Sequence, residues 1–233
     1  MCSRRMVSIL MTVFVLACIS LAQAPDLEPG RVGTPMPVVS FELNWQLADP
    51  NWYAISIEPT GRTTYKSQPK TAMNDAAGDP FTIEFTATES TRERVLELAK
   101  QANYFKGNFE YKANNIAQTG KKTLRYKDAN KQSETTFNYS TNPAITELTT
   151  LFQRMSSTME SGRRLSFSLR FDKLGVDDEL KKLEQMKKMG SLVEVQALEP
   201  LLRKIIEDRS FMNVSRQRAQ RLLGVSVSPS GSR

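Results

Sequence analysis

The residues whose types and spacing could do chemistry form only short groups in this sequence. Ser67-Gln68-Pro69-Lys70 has the Ser-x-x-Lys spacing of the nucleophile in penicillin-recognising enzymes. That chemistry requires the serine at the start of a helix, so that the lysine lies one turn further along. Here Pro69 follows a predicted strand, and no Ser-Asp-Asn or Lys-Thr-Gly partner follows it. We therefore interpret the motif as part of a loop.

Two acidic groups have the residue types of a cation site. Asp128, Asn130 and Glu134 resemble part of a calcium loop, but the glycine and the spacing of such a loop are missing. A hairpin turn accounts for them better. Asp177-Asp178-Glu179 could bind a cation, yet acidic residues are ordinary in the first turn of a helix. We predict no metal site and, since no glycine-rich phosphate loop exists, no cofactor.

The absence of histidine excludes several chemistries. The sequence contains no histidine, and both of its cysteines, Cys2 and Cys18, lie in the N-terminal segment. The chain after that segment therefore has neither histidine nor cysteine. This removes Ser-His-Asp and Cys-His nucleophiles, Cys/His zinc sites and disulfides. Carboxylates remain, and the alternative function is therefore a hydrolase acting on glycan or peptide, with a glutamate or aspartate as the acid. Glycan hydrolysis of this kind uses a pair of carboxylates, and the sequence does not show which two residues would form it.

Residues 1–24 have the pattern of a secretory signal peptide. A positive start is followed by an apolar run and then by small residues, which predicts cleavage near Ala22 or Ala24. The protein is then secreted or periplasmic, with no transmembrane helix in the mature chain. A lipoprotein, lipidated through Cys18, is an alternative because Val15 to Cys18 resembles a lipobox. A membrane anchor is less favoured, since the apolar run is shorter than a spanning helix needs.

Period-two alternation predicts an antiparallel sheet after a linker at 25–37. Apolar and polar residues alternate in four segments before residue 90, which are 39–47, 53–57, 63–65 and 81–87. A second hairpin follows within 123–139. We expect an α+β domain at 38–160, built from an antiparallel sheet of about five strands with helices on one face.

Helix signals separate and follow the strands. Ser90 and Glu93 have the spacing of a capping box, and Gly107 is placed to end that helix. Pro143 after Asn142 predicts the start of a second helix. A small all-α domain is expected at 161–224, with a flexible tail at 225–233. Residues 163–174 fit either a strand or a helix, and we favour the helix.

Two stretches resemble known families. The pattern of apolar residues, Asp208 and Arg216 over 200–224 looks like a single HEAT-type helical hairpin, although repeats of that kind need neighbours. The stretch from Trp52 to about Met159, with its Tyr-x-Ile-x-Ile strand and the pair Tyr104-Phe105, loosely resembles an uncharacterised family of secreted bacterial α+β proteins. The resemblance implies the fold and the compartment, and it implies no activity.

The positive charge is concentrated in the C-terminal third. Residues 162–233 hold 15 Lys and Arg against 9 Asp and Glu, whereas residues 25–161 are close to neutral. Arg216 and Arg221 are predicted on the solvent-exposed face of the last helix, where an acidic protein or an anionic envelope surface could bind. Nucleic acid is not expected as a partner, because the protein is predicted to be exported and because no aromatic residues for base stacking lie between the basic ones.

Aromatic side chains give one further candidate for partner binding. Seven could line a groove for glycan or peptide, but most lie on the apolar side of a predicted strand, where a core position is expected. Trp52, beside Asp49-Pro50, is the exception. We predict an exported, non-enzymatic binding or assembly protein of the bacterial cell envelope.

Overall fold

The strands within the described residues form one antiparallel sheet. In a computed structural model, residues 36–68 and 80–224 are described. The strand order is β4-β3-β2-β1-β5-β6. In chain order the strands are β1 (Val38–Asn44), β2 (Trp52–Ile57), β3 (Arg62–Gln68), β4 (Phe81–Thr86), β5 (Lys121–Lys127) and β6 (Gln132–Phe137).

The α+β class is confirmed, and the sheet has six strands where about five were expected. The four alternating segments and both strands of the late hairpin belong to this one sheet, because β1 pairs with β5 along its whole length and so joins the hairpin to the earlier strands. The predicted signal peptide, most of the linker at 25–37, the tail at 225–233 and Lys70 of the Ser-x-x-Lys motif lie outside the described residues.

Alternation along β1 and β2 creates one apolar face on the sheet. Val39 and Phe41 of β1 and Ile55 of β2 are buried with at most 1% of their surface exposed. The helices cover this face, and the ring of Phe41 stacks on that of Phe152 with centroids 5.3 Å apart. Because side chains alternate across a strand, the polar residues of the same strands lie on the opposite face.

Five helices complete the described fold. They are α1 (Glu89–Gln101), α2 (Pro143–Phe171), α3 (Gly175–Lys188), α4 (Glu199–Glu207) and α5 (Asn213–Leu223). The side chain of Asn142 accepts a hydrogen bond from the amide of Ile145, so α2 begins as predicted. Since α2 runs to Phe171, the helical interpretation of 163–174 is confirmed for most of that stretch.

Both predicted ends of α1 are wrong. The N-cap is Thr88, whose hydroxyl accepts from the amide of Thr91, so the helix starts before Ser90. The capping role expected of Glu93 belongs to Glu194, whose Oε2 accepts the Thr88 amide at 2.9 Å. The helix also ends well before Gly107, at Gln101.

The early end of α1 follows from a left-handed turn. Asn103, Tyr104 and Phe105 have φ values of 48°, 53° and 65°. Such values are uncommon for residues other than glycine and require support from the surroundings. The Ser133 hydroxyl donates to the carbonyl of Tyr104, and the ring of Tyr104 packs on that of Tyr126 at 4.7 Å.

Buried apolar side chains form two clusters, and α2 contributes to both. The first lies between the sheet, α1 and residues of α2 up to Met159. The second begins at Leu165 and includes residues of α3, α4 and α5. The predicted boundary between residues 160 and 161 therefore falls inside one continuous helix, and the division into two domains stays a prediction.

Gly162 of α2 lies against Leu198, the last residue of the 3₁₀ turn at Val195–Leu198. A Cβ at this position would overlap the side chain of Leu198. In an exposed helix Gly→Ala stabilises by about 0.5–1 kcal/mol, whereas overpacking costs about 1–3 kcal/mol.

We therefore expect Gly162→Ala to lower the free energy of unfolding by about 1–2 kcal/mol in urea denaturation. Leu198→Ala removes the clashing atoms, so Gly162→Ala should cost nothing in that background. A loss of the same size in both backgrounds would contradict the steric explanation.

Candidate functional site

A cleft of about 500 Å³ opens beside the middle of α2. The wall facing α2 is formed by the end of β1, the loop that follows it and Tyr53 of β2. Ligand pockets in proteins commonly measure about 300–1,000 Å³, so this cleft has the size for a small molecule. Its polar and aromatic lining includes Trp45, Asp49, Tyr53, Gln153, Glu160 and Arg164.

A stripe of polar residues on α2 forms one side of this cleft. Gln153, Ser156, Ser157, Glu160 and Arg164 follow each other at steps of one, three or four, which places them on one helix face. Gln153 and Ser157 are exposed, whereas Ser156 and Glu160 are buried. The spacing is visible in the sequence, but no motif marks it. Its burial depends on strands that are distant in the chain.

Glu160 is the buried charge at this site, with 3% of its surface exposed. Its Oε1 accepts from the hydroxyls of Tyr65 at 2.8 Å and Ser67 at 2.6 Å. Its Oε2 accepts from Nε of Arg163 at 2.7 Å. An unpaired carboxylate could not be buried at this depth without a large desolvation cost. The cluster therefore ties β3 to α2 beneath the cleft.

The two buried tyrosines of this region are held protonated. Burial raises the pKa of the Tyr53 and Tyr65 hydroxyls well above the ordinary value of 10, and the charge of Glu160 adds to the effect for Tyr65. The Tyr65 hydroxyl also lies 3.1 Å from Oγ of Ser156. The hydroxyls are thus fixed hydrogen-bonding groups at neutral pH.

A second cleft of about 250 Å³ adjoins the first and shares Thr119 and Gln153 with it. Lys122 is buried there, and its Nζ donates to the carbonyl of Asn138 at 2.8 Å and to Oγ1 of Thr119 at 2.9 Å. Burial lowers the pKa of Lys122, and the nearby Glu110 opposes this shift. The predicted hairpin began at residue 123, whereas β5 begins at Lys121, so this lysine was not among the predicted site residues.

The arrangement suits hydrogen bonding better than acid–base catalysis. Glycoside cleavage needs two carboxyl groups about 5–10 Å apart, one of them able to give a proton. Glu160 already has three donors directed at it. Asp49, the other carboxylate that lines the cleft, is exposed. What the cleft offers is a set of fixed polar groups beside the indole of Trp45.

Trp52, predicted to bind a partner, lies on the opposite side of the sheet from this cleft. Its Nε1 donates to Oε1 of Glu42 at 3.1 Å. The same carboxylate accepts from Arg125 at 2.7 Å, and Arg125 also contacts Glu134. Trp52 is half-buried in this polar row. Its role in partner binding stays a prediction.

Arg216 and Arg221 both lie on α5, and neither contacts Trp52. Nε of Arg216 donates to the carbonyl of Ile206 at 3.1 Å, at the end of α4. Arg221 forms an ion pair with Glu184 at 2.8 Å and keeps about half of its side chain exposed. A partner at Arg221 would therefore compete with Glu184. The prediction that these arginines bind an acidic partner remains untested.

The acidic groups of the sequence have structural roles. Asp128 Oδ1 accepts from the amides of Asn130 and Lys131, both at 2.7 Å, in the turn between β5 and β6, which confirms the hairpin interpretation. Asp177 is buried at the start of α3, where it pairs with Arg218 at 3.1 Å. Arg218 also pairs with Glu184. No motif in the sequence marks Arg218, although this side chain joins α5 to α3.

Within 36–68 and 80–224, no group of three acidic, histidine or cysteine side chains could hold a metal ion. No helix in these ranges is long and apolar enough to cross a membrane. Ser67 is the last buried residue of β3 and not the first residue of a helix, which agrees with a non-catalytic Ser-x-x-Lys. No protein-family model matches the chain, and the search of curated proteins found no match.

Proposed function

We propose that this protein is an exported, non-enzymatic binding protein of the bacterial cell envelope. Export is inferred from the charged, apolar and small-residue pattern of residues 1–24. The observation that supports binding is the cleft of about 500 Å³ beside α2, whose floor is a fully hydrogen-bonded polar cluster around Glu160. A site that is ordered before the ligand arrives loses less entropy on binding.

The chemistry of the lining favours a small, hydroxyl-rich ligand such as a glycan fragment. Trp45 is half-buried and provides an apolar ring next to polar groups, a combination that can contact both the faces and the hydroxyls of a sugar. Gln153 is exposed at the mouth and can both donate and accept. Arg164 lies one turn beyond Glu160 along α2.

The test is calorimetric titration with a disaccharide of N-acetylglucosamine as the probe. We expect saturable binding, weakened at least fivefold by Trp45→Phe and by Gln153→Ala, because each change removes contact area or a hydrogen bond of about 1 kcal/mol. Trp52→Phe is the matched control, since it changes the same residue type on the other side of the sheet. Equal weakening by both tryptophan variants would contradict the assignment of the cleft.

The hydrolase alternative gives a different result in the same samples. Mass spectrometry after prolonged incubation would detect monosaccharide if the disaccharide were cleaved. Binding without product supports the binding protein. Cleavage that is abolished by Glu160→Gln would replace our proposal with the enzyme.

A further inference from the structure

An exposed apolar and basic patch ends the longest helix of the protein. Arg170, Phe171, Asp172, Lys173 and Leu174 are five successive exposed residues at the end of α2 and just beyond it. Phe171 and Leu174 have 69% and 78% of their surface exposed. Isolated apolar residues on a surface are normal, but large ones in a group indicate an interaction site.

The aromatic part of the patch is a packed pair. The ring of Phe167, one turn before Phe171, lies 4.9 Å from the ring of Phe171 with an interplanar angle of 47°. The other helical pair in this stretch, Leu165 and Leu169, is buried in the second cluster. The same stretch of α2 therefore packs one apolar pair against the protein and presents the other to solvent.

Basic and acidic side chains both lie beside the patch. Arg170 and Lys173 flank Phe171, and the acidic neighbours are Asp172, which accepts the amide of Gly175 at 3.0 Å, and Asp208. Nζ of Lys173 lies 5.3 Å from the ring centre of Phe211 and donates to the hydroxyl of Ser210. The positive excess belongs to the wider C-terminal third, in which residues 162–233 hold 15 Lys and Arg against 9 Asp and Glu.

We propose that this patch docks on an anionic lipid bilayer, with Phe171 and Leu174 entering the interface and Arg170 and Lys173 facing lipid phosphates. Binding at a bilayer interface strengthens with the buried apolar area and with the attraction to anionic lipid, about 1 kcal/mol, or fivefold in affinity, for each Lys or Arg near the surface. A stable protein interface uses about 20–30 residues on each side, whereas this patch has five successive exposed residues. The observations therefore favour a membrane over a protein partner.

The test uses the full chain with Cys2→Ser and Cys18→Ser, carrying one environment-sensitive fluorophore on an introduced cysteine. The label is placed by Leu174→Cys or, as the matched control, by Leu47→Cys, because both leucines are 78% exposed. Vesicles contain either 30% phosphatidylglycerol in phosphatidylcholine or phosphatidylcholine alone. Comparing two labels on the same chain separates the patch from any membrane binding by the N-terminal segment.

We expect a blue shift from the label at position 174, and none from position 47, with the phosphatidylglycerol vesicles. Arg170→Glu and Phe171→Ser should each raise the lipid concentration for half-maximal shift at least fivefold. One basic residue near an anionic surface strengthens binding about fivefold, and the burial of one phenylalanine side chain strengthens it by more. Circular dichroism checks that each variant is folded.

Three results would overturn the proposal. The first is the absence of a shift at position 174, and the second is a shift of equal size in phosphatidylcholine alone. The third is a shift that rises with protein concentration in the absence of vesicles, because it would assign the patch to a second copy of this chain.

Discussion

Replacing Glu160 with leucine is expected to lower the free energy of unfolding by about 3–5 kcal/mol, because breaking a buried ion pair leaves its partners unsatisfied. The hydroxyls of Tyr65 and Ser67 and the guanidinium of Arg163 all donate to this carboxylate. After the substitution these groups face an apolar side chain. Urea denaturation monitored by circular dichroism measures the loss.

The matched control is Glu147→Leu on the same helix. Glu147 is also ion-paired, with Arg94 at 2.6 Å, but about half of its side chain is exposed. Exposed pairs contribute about 0–1 kcal/mol, so this change should cost little. Equal losses at the two positions would show that burial of the Glu160 cluster does not determine its contribution.

A combined variant tests the same explanation from the other side. Tyr65→Phe with Ser67→Ala removes the two hydroxyls that donate to Glu160. We expect Glu160→Leu to lower the free energy of unfolding by at least 1 kcal/mol less in that background, since the effects of substitutions within one hydrogen-bond network are not additive. Full additivity would indicate that the hydroxyls find other partners when Glu160 is lost.

The second large effect is a loss of stability above pH 10. Burial raises the pKa of Tyr53 and Tyr65 above the ordinary value of 10, so the unfolded chain releases these protons before the folded protein does. The stabilisation that comes from keeping these two tyrosines protonated is fully present below pH 10 and is lost as the pH rises further. Each such tyrosine lowers the free energy of unfolding by about 1.4 kcal/mol per pH unit.

The measurement is the denaturation free energy at half-unit steps from pH 9 to pH 11. Tyr53→Phe should reduce the slope above pH 10 by about 1.4 kcal/mol per pH unit. Tyr139→Phe, in a tyrosine that is 47% exposed, serves as the control. Comparing variants also cancels the opposite contribution of Lys122, whose lowered pKa makes stability rise with pH below its ordinary value of 10.5. An unchanged slope for Tyr53→Phe would contradict its burial.

Local patterns in the sequence determined the fold class and most of the elements. The alternation around Phe41 and Ile55 predicted strands whose apolar residues are indeed buried. Asn142 and Pro143 placed the start of α2 correctly, because the cap and the first turn involve residues that are close in the chain. The choice of a helix for 163–174 also followed from local preference. These features depend on neighbours at most four residues apart.

What only the tertiary structure decided involves partners that are far apart in the chain. The N-cap residue of α1, Thr88, donates to Glu194, more than a hundred residues away, and the local capping box of Ser90 and Glu93 gave the wrong residue. Glu160 looks like any helical glutamate until β3 brings Tyr65 and Ser67 against it. The cleft exists for the same reason. Charge burial and hydrogen-bond satisfaction depend on which distant groups meet, and spacing along one element does not contain that information.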